Sequence, residues 1–314
     1  MFHLFIINNS SNWLFYISFH LVYSVFGGDK MAFYTARYDA GFKNAIGCES
    51  QKDLLKYFLE KTLDLSIDDL ILDPKELEKP NIKIKTKTLD VLVKTKNETI
   101  NLEINNGYYN SLPIRNFAYI SSVFSNSVFE GDDYLDTKMH IQLNITWGLG
   151  IEKDIKSCYM MHDKENDKCY CDKLKIIEIN MDKIMNMWYH GDKKKALEYK
   201  YFLMLDLEPK DLDVVCKGDK MMEKYKEKIE KLNEDPEFIE VVSKEKDAEM
   251  VYNSLITEGY EQGIEDGISQ GLEQGISSRN IEIAKNLLDN NVSIDVIIKS
   301  TGLSKEEVEE LSKK

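Results

Sequence analysis

Two segments with alternating apolar and polar residues lie close together in the chain, at 88–93 and 99–105. A period of two is typical of β-strands, and the polar stretch Lys94 to Glu98 between the segments predicts a hairpin that turns at Lys96 and Asn97. The pairing gives the hairpin one apolar and one polar face. An isolated hairpin is at best marginally stable in water. The apolar face therefore requires further elements to cover it.

The same pairing places Asp90 opposite Glu103, with Cβ atoms ~5 Å apart. Two carboxylates at that distance are able to share one divalent metal ion, and Mg²⁺ needs only one or two carboxylates because it keeps several waters. Asn105 faces the same side as Glu103, since side chains alternate along a strand. We therefore interpret Asn105 as a group that orients a water beside the metal. The alternative is that Asp90 and Glu103 are ordinary exposed residues on a half-buried hairpin.

The charge balance narrows the choice of partner. The chain has 314 residues and a net charge of −14, which is unusual for a nucleic-acid-binding protein, because phosphate contacts need Lys and Arg. The excess acid lies mostly downstream of the hairpin. Between Met31 and Glu130 the chain has 13 Lys and Arg against 14 Asp and Glu. The predicted site is therefore in a nearly neutral region.

Five cysteines are scattered along the chain and do not suggest a disulfide scaffold. Three of them, with His162, leave a zinc site open as an alternative, although the spacing matches none of the common structural zinc patterns. The residues concerned are Cys158, His162, Cys169 and Cys171. Reduced thiols in the cytosol are the other interpretation.

The N-terminal segment has an unusual composition. Residues 2–28 contain no Asp, Glu, Lys or Arg, and Trp13 to Phe26 is strongly apolar. A membrane anchor is one interpretation, but residues 8–12 interrupt the apolar run and leave it short for a span. The other interpretation is that translation starts at Met31, after a Gly-Gly-Asp-Lys sequence whose codons are able to form a ribosome-binding site. We then expect residues 1–30 to be upstream sequence and the protein to have no membrane association.

The remaining periodicity predicts the order helix, hairpin, helix, strand, strand, helix. Helices are expected at Asp53–Leu65, from Pro113 to about Phe129, and at Lys194–Leu205. Strands are expected at Met139–Trp147 and Lys173–Ile179. This order predicts an α/β or α+β fold with a mixed sheet flanked by helices.

Glycine recurs at every fourth position from Gly259 to Gly275, within a charged helical region. Because each glycine inside a helix costs ~1 kcal/mol, the repeat requires a reason. One reason is close helix–helix approach, which would make this segment an oligomerisation stem. The alternative is a flexible, partly helical linker. The tail after Ser278 predicts three short helices, and Ser304 with Glu307 predicts a capping box.

The residues of the hairpin resemble a known nuclease core. Asp90, Glu103 and Asn105 are similar to the Asp…(Asp/Glu)-x-Lys motif of the PD-(D/E)XK superfamily. Within it, the chain resembles the recombination-promoting nuclease / putative transposase family. The segment Tyr38–Lys43 is similar to the opening Asp-x-x-Phe-Lys motif of that family.

Further motifs follow in the order of the family. Arg115 with Tyr119 resembles the Arg-x-x-x-Tyr start of a helix. The glycine repeat and the segment Thr301–Ser304 are also typical of it. The resemblance covers about Phe33 to the end of the chain.

The resemblance implies a restriction-endonuclease-like fold and a metal-dependent DNA endonuclease linked to recombination, mobile elements or phage defence in the bacterial cytoplasm. Asp90 and Glu103 would hold Mg²⁺, with Mn²⁺ as a substitute. Three accessory groups are implied, namely Asp39, Lys43 and Arg115. Asn105 departs from the motif, because the superfamily has Lys there and this family usually has Gln. This departure leaves open a catalytically degenerate relative that binds DNA or a protein partner.

These interpretations divide the chain into five parts. They are residues 1–30, a nuclease-like domain at 31–207, a helical region at 208–257, the glycine stem or linker at 258–277, and a small helical unit at 278–314. The stem and the C-terminal helices are the predicted sites of homo-oligomerisation.

Overall fold

The computed structural model describes residues 32–73, 76–77, 87–88, 90–131 and 133–312. Residues 1–30 lie outside this range, so the two interpretations of that segment stay predictions. Within the described residues, none of the helices has both the length and the apolarity to cross a bilayer. The chain forms two compact units, one ending at Glu245 and the other beginning at Lys246.

The first unit contains the strands and most of the helices. The strands are β1 (Ile71–Asp73), β2 (Glu76–Leu77), β3 (Lys87–Thr88), β4 (Val91–Lys94), β5 (Glu98–Asn105), β6 (Met139–Thr146), β7 (Lys156–His162) and β8 (Cys169–Asn180). The helices are α1 (Asp39–Ala45), α2 (Lys52–Leu63), α3 (Leu112–Ser125), α4 (Met181–His190), α5 (Lys193–Ala196), α6 (Lys200–Leu203), α7 (Pro209–Cys216), α8 (Lys220–Leu232) and α9 (Pro236–Asp289), which extends into the second unit.

Six strands form one mixed sheet in the order β1-β4-β5-β6-β8-β7. The pairs β5–β6 and β6–β8 are parallel, and the other three pairs are antiparallel. The mixed sheet and the flanking helices confirm the predicted fold class. The hairpin register is also as predicted, because Val91 pairs with Leu102 and Val93 with Ile100. Its turn is closed by a bond from Thr95 N to Glu98 O, 2.8 Å long.

One face of this sheet forms the main core. The face is made of Ile, Leu and Val side chains from four strands, and α1, α2, α4 and α8 supply residues to the same core cluster. Phe42 of α1 and Phe58 of α2 are fully buried there and make an edge-to-face contact, with ring centroids 6.4 Å apart. This packing fixes α1 beside the start of β4.

The other face of the sheet is also buried, although most of its side chains are polar. Helix α3, which connects β5 to β6, covers it with Ile120 and Val123, and these contact Leu92 of β4. The neighbouring polar side chains of β5 and β6 are less than one-tenth exposed. They are Thr99, Asn101, Glu103, Asn105, His140, Gln142, Asn144 and Thr146. We call this surface the polar face.

Some predicted boundaries were wrong. The helix expected to reach Phe129 ends at Ser125. The helix expected over Lys194–Leu205 is two short α-helices joined by a 3₁₀ turn at Leu197–Tyr199, begun by an Asp192 cap on the N–H groups of Lys194 and Lys195. Strands β1 and β7 were not predicted, because each is at an edge of the sheet with a largely exposed pattern.

The second unit is helical. It contains the remainder of the 54-residue helix α9, then α10 (Ile294–Thr301) and α11 (Lys305–Leu311). The predicted capping box is present, with Ser304 and Glu307 bonding reciprocally. Ala284, Ile297 and Val308 form a small core. The first of the three predicted tail helices is not separate, because α9 runs without a break through the glycine repeat to Asp289.

Candidate active site

Asp90 and Glu103 lie together where β4 begins. Asp90 immediately precedes that strand, and its backbone N–H donates to Glu103 Oε1 at 3.4 Å. In return, the N–H of Ile104 donates to Asp90 Oδ2 at 2.9 Å. Backbone N–H groups of the hairpin therefore fix the orientation of both carboxylates.

Burial distinguishes this pair from surface acids. Only 3% of Glu103 is exposed, so the alternative of an ordinary exposed pair does not apply to it. Loss of hydration and the nearby charge of Asp90 raise the pKa of Glu103 to about 8. Loss of hydration, with the charge of Asp39, also raises the pKa of Asp90 above its usual value. A buried carboxylate beside a partly buried one has an unfavourable mutual charge, which a bound cation would relieve.

Lys43 supplies one cation beside the pair. Its Nζ lies 3.5 Å from Asp90 Oδ1 and 2.6 Å from Asp39 Oδ2, so the lysine connects the two carboxylates. Burial lowers the pKa of Lys43, but the hydrogen bond to Asp39 and the charge of Asp90 outweigh it and raise the pKa above its usual value. Lys43 is therefore a permanent cation at neutral pH.

Arg115 supplies a second cation from the first turn of α3, where a positive charge is unfavourable for the helix dipole. Its Nη2 lies 3.9 Å from Glu103 Oε2 and donates to Asn105 Oδ1 at 2.6 Å. The guanidinium also lies over the rings of Tyr109 and Tyr119. These contacts place the cation beside Glu103.

Asn105 is buried, and both of its amide atoms are engaged. Oδ1 accepts from Arg115, and Nδ2 donates to Thr146 Oγ1 at 3.2 Å. The sequence argument correctly placed Asn105 on the same face as Glu103. It did not foresee that Arg115 and Thr146 would occupy its polar atoms.

Sequence reasoning also missed the residues beyond β5. On β6, polar side chains occupy every second position of a strand that is otherwise apolar, at His140, Gln142, Asn144 and Thr146. That pattern was visible in the sequence. An alternating strand is usually taken to have a solvated side, and here α3 covers that side.

The donor set fits a hard divalent cation. Glu103 Oε2 has no direct hydrogen bond among the described contacts, and carboxylate oxygens are ligands of Mg²⁺ and Mn²⁺. In the described part of the chain, no three His, Cys, Asp or Glu side chains converge as a ligand set. The zinc alternative at Cys158, His162, Cys169 and Cys171 is therefore not supported. A metal at Asp90 and Glu103 would need water to complete its shell.

A cavity of about 290 Å³ adjoins Asp90. It lies between the segment after α1 and the edge of the sheet, with Gly47, Glu49, Asp73 and Leu92 on its walls. The carboxylate of Asp90 is therefore accessible from this side, whereas Glu103 lies deeper.

Two family models match the chain. The model described as PD-(D/E)XK nuclease family transposase matches residues 36–259, which is more than half of the chain. The model described as Rpn/YhgA-like nuclease family, C-terminal HTH domain, matches residues 278–313. No curated protein and no solved structure matches significantly. The region matched by the first model includes Asp90, Glu103 and the whole six-stranded sheet.

Proposed function

The chain belongs to the PD-(D/E)XK nuclease family transposases, and from this membership we propose that it is a Mg²⁺-dependent DNA endonuclease of the bacterial cytoplasm. The observation that carries the proposal is the pairing of the partly buried carboxylate of Asp90 with the buried carboxylate of Glu103, each fixed by a backbone N–H of the hairpin. A family nuclease needs such a pair. The predicted link to recombination, mobile elements or phage defence follows from the same membership.

Asp90 and Glu103 are the residues that would hold the metal. A divalent ion held by them would lower the pKa of a bound water and would stabilise negative charge on the scissile phosphate. Mn²⁺ suits the same oxygen ligands and serves as a substitute in experiments. Only the ionised carboxylates would bind the cation, so the raised pKa values of the two carboxyls mean that metal binding would release protons and strengthen as the pH rises.

Lys43 and Arg115 are the groups we assign to the DNA phosphate. Both are cations beside the carboxylate pair, and each is held by an acidic or amide partner. Because its pKa is raised, Lys43 acts as a fixed charge rather than as a general base. Asp39 positions Lys43, and Asn105 positions Arg115.

One observation favours the degenerate alternative. Asn105 Oδ1 accepts from Arg115 and Nδ2 donates to Thr146, so both amide atoms bond protein neighbours rather than a water beside the carboxylate pair. Under that alternative, the protein binds DNA or a protein partner through the same surface without cutting. The two functions differ in the product of a cleavage assay.

The C-terminal unit has a separate role in this proposal. Its family model is described as an HTH domain, which is consistent with DNA as a partner. However, the last helix, α11, carries four glutamates at Glu306, Glu307, Glu309 and Glu310. Such a helix is repelled by phosphates in a DNA groove. We therefore assign DNA contact to the first unit and a protein-contact role to α11.

The test is nicking of supercoiled plasmid DNA by the protein that starts at Met31, with and without Mg²⁺. We expect wild-type protein to nick only with the metal, and Asp90→Ala to lose at least ~10³-fold in rate, as when a metal ligand is removed from a catalytic site. Asp73→Ala is the matched control, since Asp73 lies on the wall of the same cavity but not at the carboxylate pair.

Three outcomes decide between the functions. Nicking that Asp90→Ala abolishes supports the endonuclease. DNA binding without nicking in either protein supports the degenerate alternative. Equal nicking by wild type and Asp90→Ala contradicts the assigned site.

A further inference from the structure

Glu178 of β8 is a third carboxylate, which pairs with Asn144 of the polar face and is separate from the pair at Asp90 and Glu103. Asn144 Nδ2 donates to its Oε2 at 3.3 Å, and Thr146 Oγ1 donates to its Oε1. Both oxygens are therefore acceptors for neighbours on β6. Burial raises the pKa of Glu178. Neither the family motifs nor the proposed metal site uses this residue.

A chain of amides leads from Glu178 to Glu103. Gln142 Nε2 donates to Asn144 Oδ1 at 2.8 Å, and Asn101 Nδ2 donates to Gln142 Oε1 at 2.8 Å. Asn101 Nδ2 also donates to Glu103 Oε1 at 3.1 Å. Because both ends of this chain are acceptors, the direction of donation reverses at Asn101. Its Oδ1 is correspondingly left without a hydrogen-bond partner.

A second chain leads back by another route. Thr146 Oγ1 accepts from Asn105 Nδ2, and Asn105 Oδ1 accepts from Arg115 Nη2. Arg115 lies 3.9 Å from Glu103 Oε2. The two hydrogen-bonded chains and this ion pair together form a circuit that starts at one oxygen of Glu103 and returns to the other. Glu178 is the point at which the two chains join.

We propose that Glu178 is a positioning residue that fixes the orientation of Glu103 and Arg115 through this circuit. The proposal deepens the proposed function and rests on it, because it assigns the outer support of the same metal site. Glu178 itself does not touch the metal or the DNA. Residues that hydrogen-bond to metal ligands orient those ligands, and their removal typically weakens metal affinity 10- to 100-fold.

The chemistry of the circuit requires a carboxylate at this position. Asn144 and Thr146 both present donors, so the residue between them has to supply two acceptors. A glutamine of the same shape supplies one acceptor and one donor. In Glu178→Gln, the new N–H group either faces the N–H donor of Asn144 or donates to Thr146 Oγ1, whose O–H then loses Glu178 as its acceptor, so one of the two chains changes in either case.

The experiment measures metal binding directly, by calorimetric titration of the DNA-free full chain with Mn²⁺. We expect Glu178→Gln to raise the Kd for Mn²⁺ by about 10-fold. Glu98→Gln, which removes a carboxylate from the same sheet outside the circuit, is the matched control and should leave the Kd unchanged. Thermal unfolding of each variant, followed by circular dichroism, separates a change in affinity from a loss of fold.

A second pair of variants tests the circuit without altering Glu178. Thr146→Val removes the hydroxyl at nearly constant volume and breaks the second chain, whereas Thr146→Ser keeps the hydroxyl. We expect the valine variant to raise the Kd for Mn²⁺ and the serine variant to restore it. Thr99→Val makes the same substitution on the polar face outside the circuit and is the control.

The outcomes separate this proposal from the proposed function. If Asp90→Ala binds Mn²⁺ as wild type does, the metal site is elsewhere and the proposed function fails. If Asp90→Ala loses binding but Glu178→Gln and Thr146→Val keep the wild-type Kd, the site stands and the positioning role is overturned. Misfolding of both circuit variants also overturns it, because the circuit then serves only the fold.

Discussion

The polar face of the first unit and the glycine repeat of α9 reverse the usual distribution of side chains in opposite ways. The sheet buries amides and carboxylates, including Asn101, Gln142 and Glu103. The repeat exposes a large apolar side chain beside each glycine. These side chains are Tyr260, Ile264, Ile268, Leu272 and Ile276. A buried polar group and an exposed apolar stripe are both more informative than the common arrangement.

The two regions differ in how their unusual groups are satisfied. Most polar groups of the polar face are satisfied internally, because amides, threonine and arginine bond one another across three strands, although Asn101 Oδ1 and His140 Nε2 have no partner among the described residues. In the repeat, a Cβ added to any of the five glycines meets no described atom within 4 Å, apart from the surrounding backbone of the helix. These internal bonds preorganise the side chains of the polar face. The repeat has no such internal explanation within the described chain.

The largest loss of stability is expected for a substitution on the apolar face of the same sheet. This face is the reference with which the polar face is compared. Leu143 of β6 is fully buried in the main core. Leu143→Ala should lower the free energy of unfolding by about 4 kcal/mol, through lost transfer energy and a cavity. Urea denaturation measures this loss. Leu143→Met keeps the volume and should cost less than ~1.5 kcal/mol; equal losses from both would contradict the assignment of tight packing.

The polar face should instead respond to pH. Because the folded-state pKa of Glu103 is raised to about 8, the folded protein takes up this proton before the unfolded chain does as the pH falls. The contribution of Glu103 to stability is therefore greatest below its unfolded pKa and is lost as the pH rises through 8. The metal-free protein should be about 2 to 3 kcal/mol more stable at pH 6 than at pH 8.5 from this group.

Chemical denaturation in EDTA at the two pH values measures the difference. Glu103→Gln should remove most of it and be the more stable protein at pH 8.5. Mg²⁺ should raise the stability of wild type at pH 8.5 and leave Glu103→Gln nearly unaffected. An identical pH slope in the two proteins would show that Glu103 is not the group responsible.

The sequence predicted the parts of the site that depend on local pattern. Strand alternation and a short turn were enough for the hairpin register, and therefore for the side on which Asp90 and Glu103 lie. The position of Lys43 beside Asp90 follows from packing of Phe42 into the core, which local pattern does not report. The parallel pairing of β5 with β6 brings together residues about 40 positions apart. The amide circuit depends on that pairing and was not predictable from either strand alone.

The boundaries that were wrong have a similar explanation. The apolar period of Lys194–Leu205 is continuous, but the structure interrupts the helix with a 3₁₀ turn before Lys200, whose Nζ reaches Asp219 at 2.9 Å. The tail helix predicted from Ser278 is continuous with α9, because nothing in the glycine repeat breaks the helix. We attribute the interruption in Lys194–Leu205 to tertiary contacts, and the continuation of α9 past Ser278 to the absence of a stop signal.

A smaller effect is expected for one member of the amide chain. Asn144→Asp keeps the shape but replaces the donor to Glu178 with an acceptor, so two carboxyl groups face each other. We expect a loss of about 2 kcal/mol in the free energy of unfolding, as for a buried polar group left without its partner. Asn110→Asp makes the same change at an exposed position and should be nearly neutral. Equal effects in both variants would mean that the polar face is solvated rather than closed.

The smallest change in stability is expected for a substitution in the glycine repeat of α9. Gly267 lies within α9 with open space around its Cβ position. Without a close neighbour, Gly267→Ala should stabilise the helix by about 1 kcal/mol, because alanine removes the entropic cost of glycine. Ser269→Ala, two residues further on, is the control for propensity alone and should give a smaller gain. Circular dichroism during heating measures both.

The sequence also predicts self-association through the stem. If that prediction is right, Gly267→Ala should destabilise the protein instead of stabilising it. If a second copy lies against the glycines, the new methyl group of Gly267→Ala meets its backbone. The variant then loses stability and, in sedimentation velocity, shifts toward monomer, whereas Ser269→Ala keeps the wild-type distribution. The sign of the stability change in one glycine variant therefore decides whether the exposed apolar stripe is covered by another chain, whereas most of the polar face is bonded by its own residues.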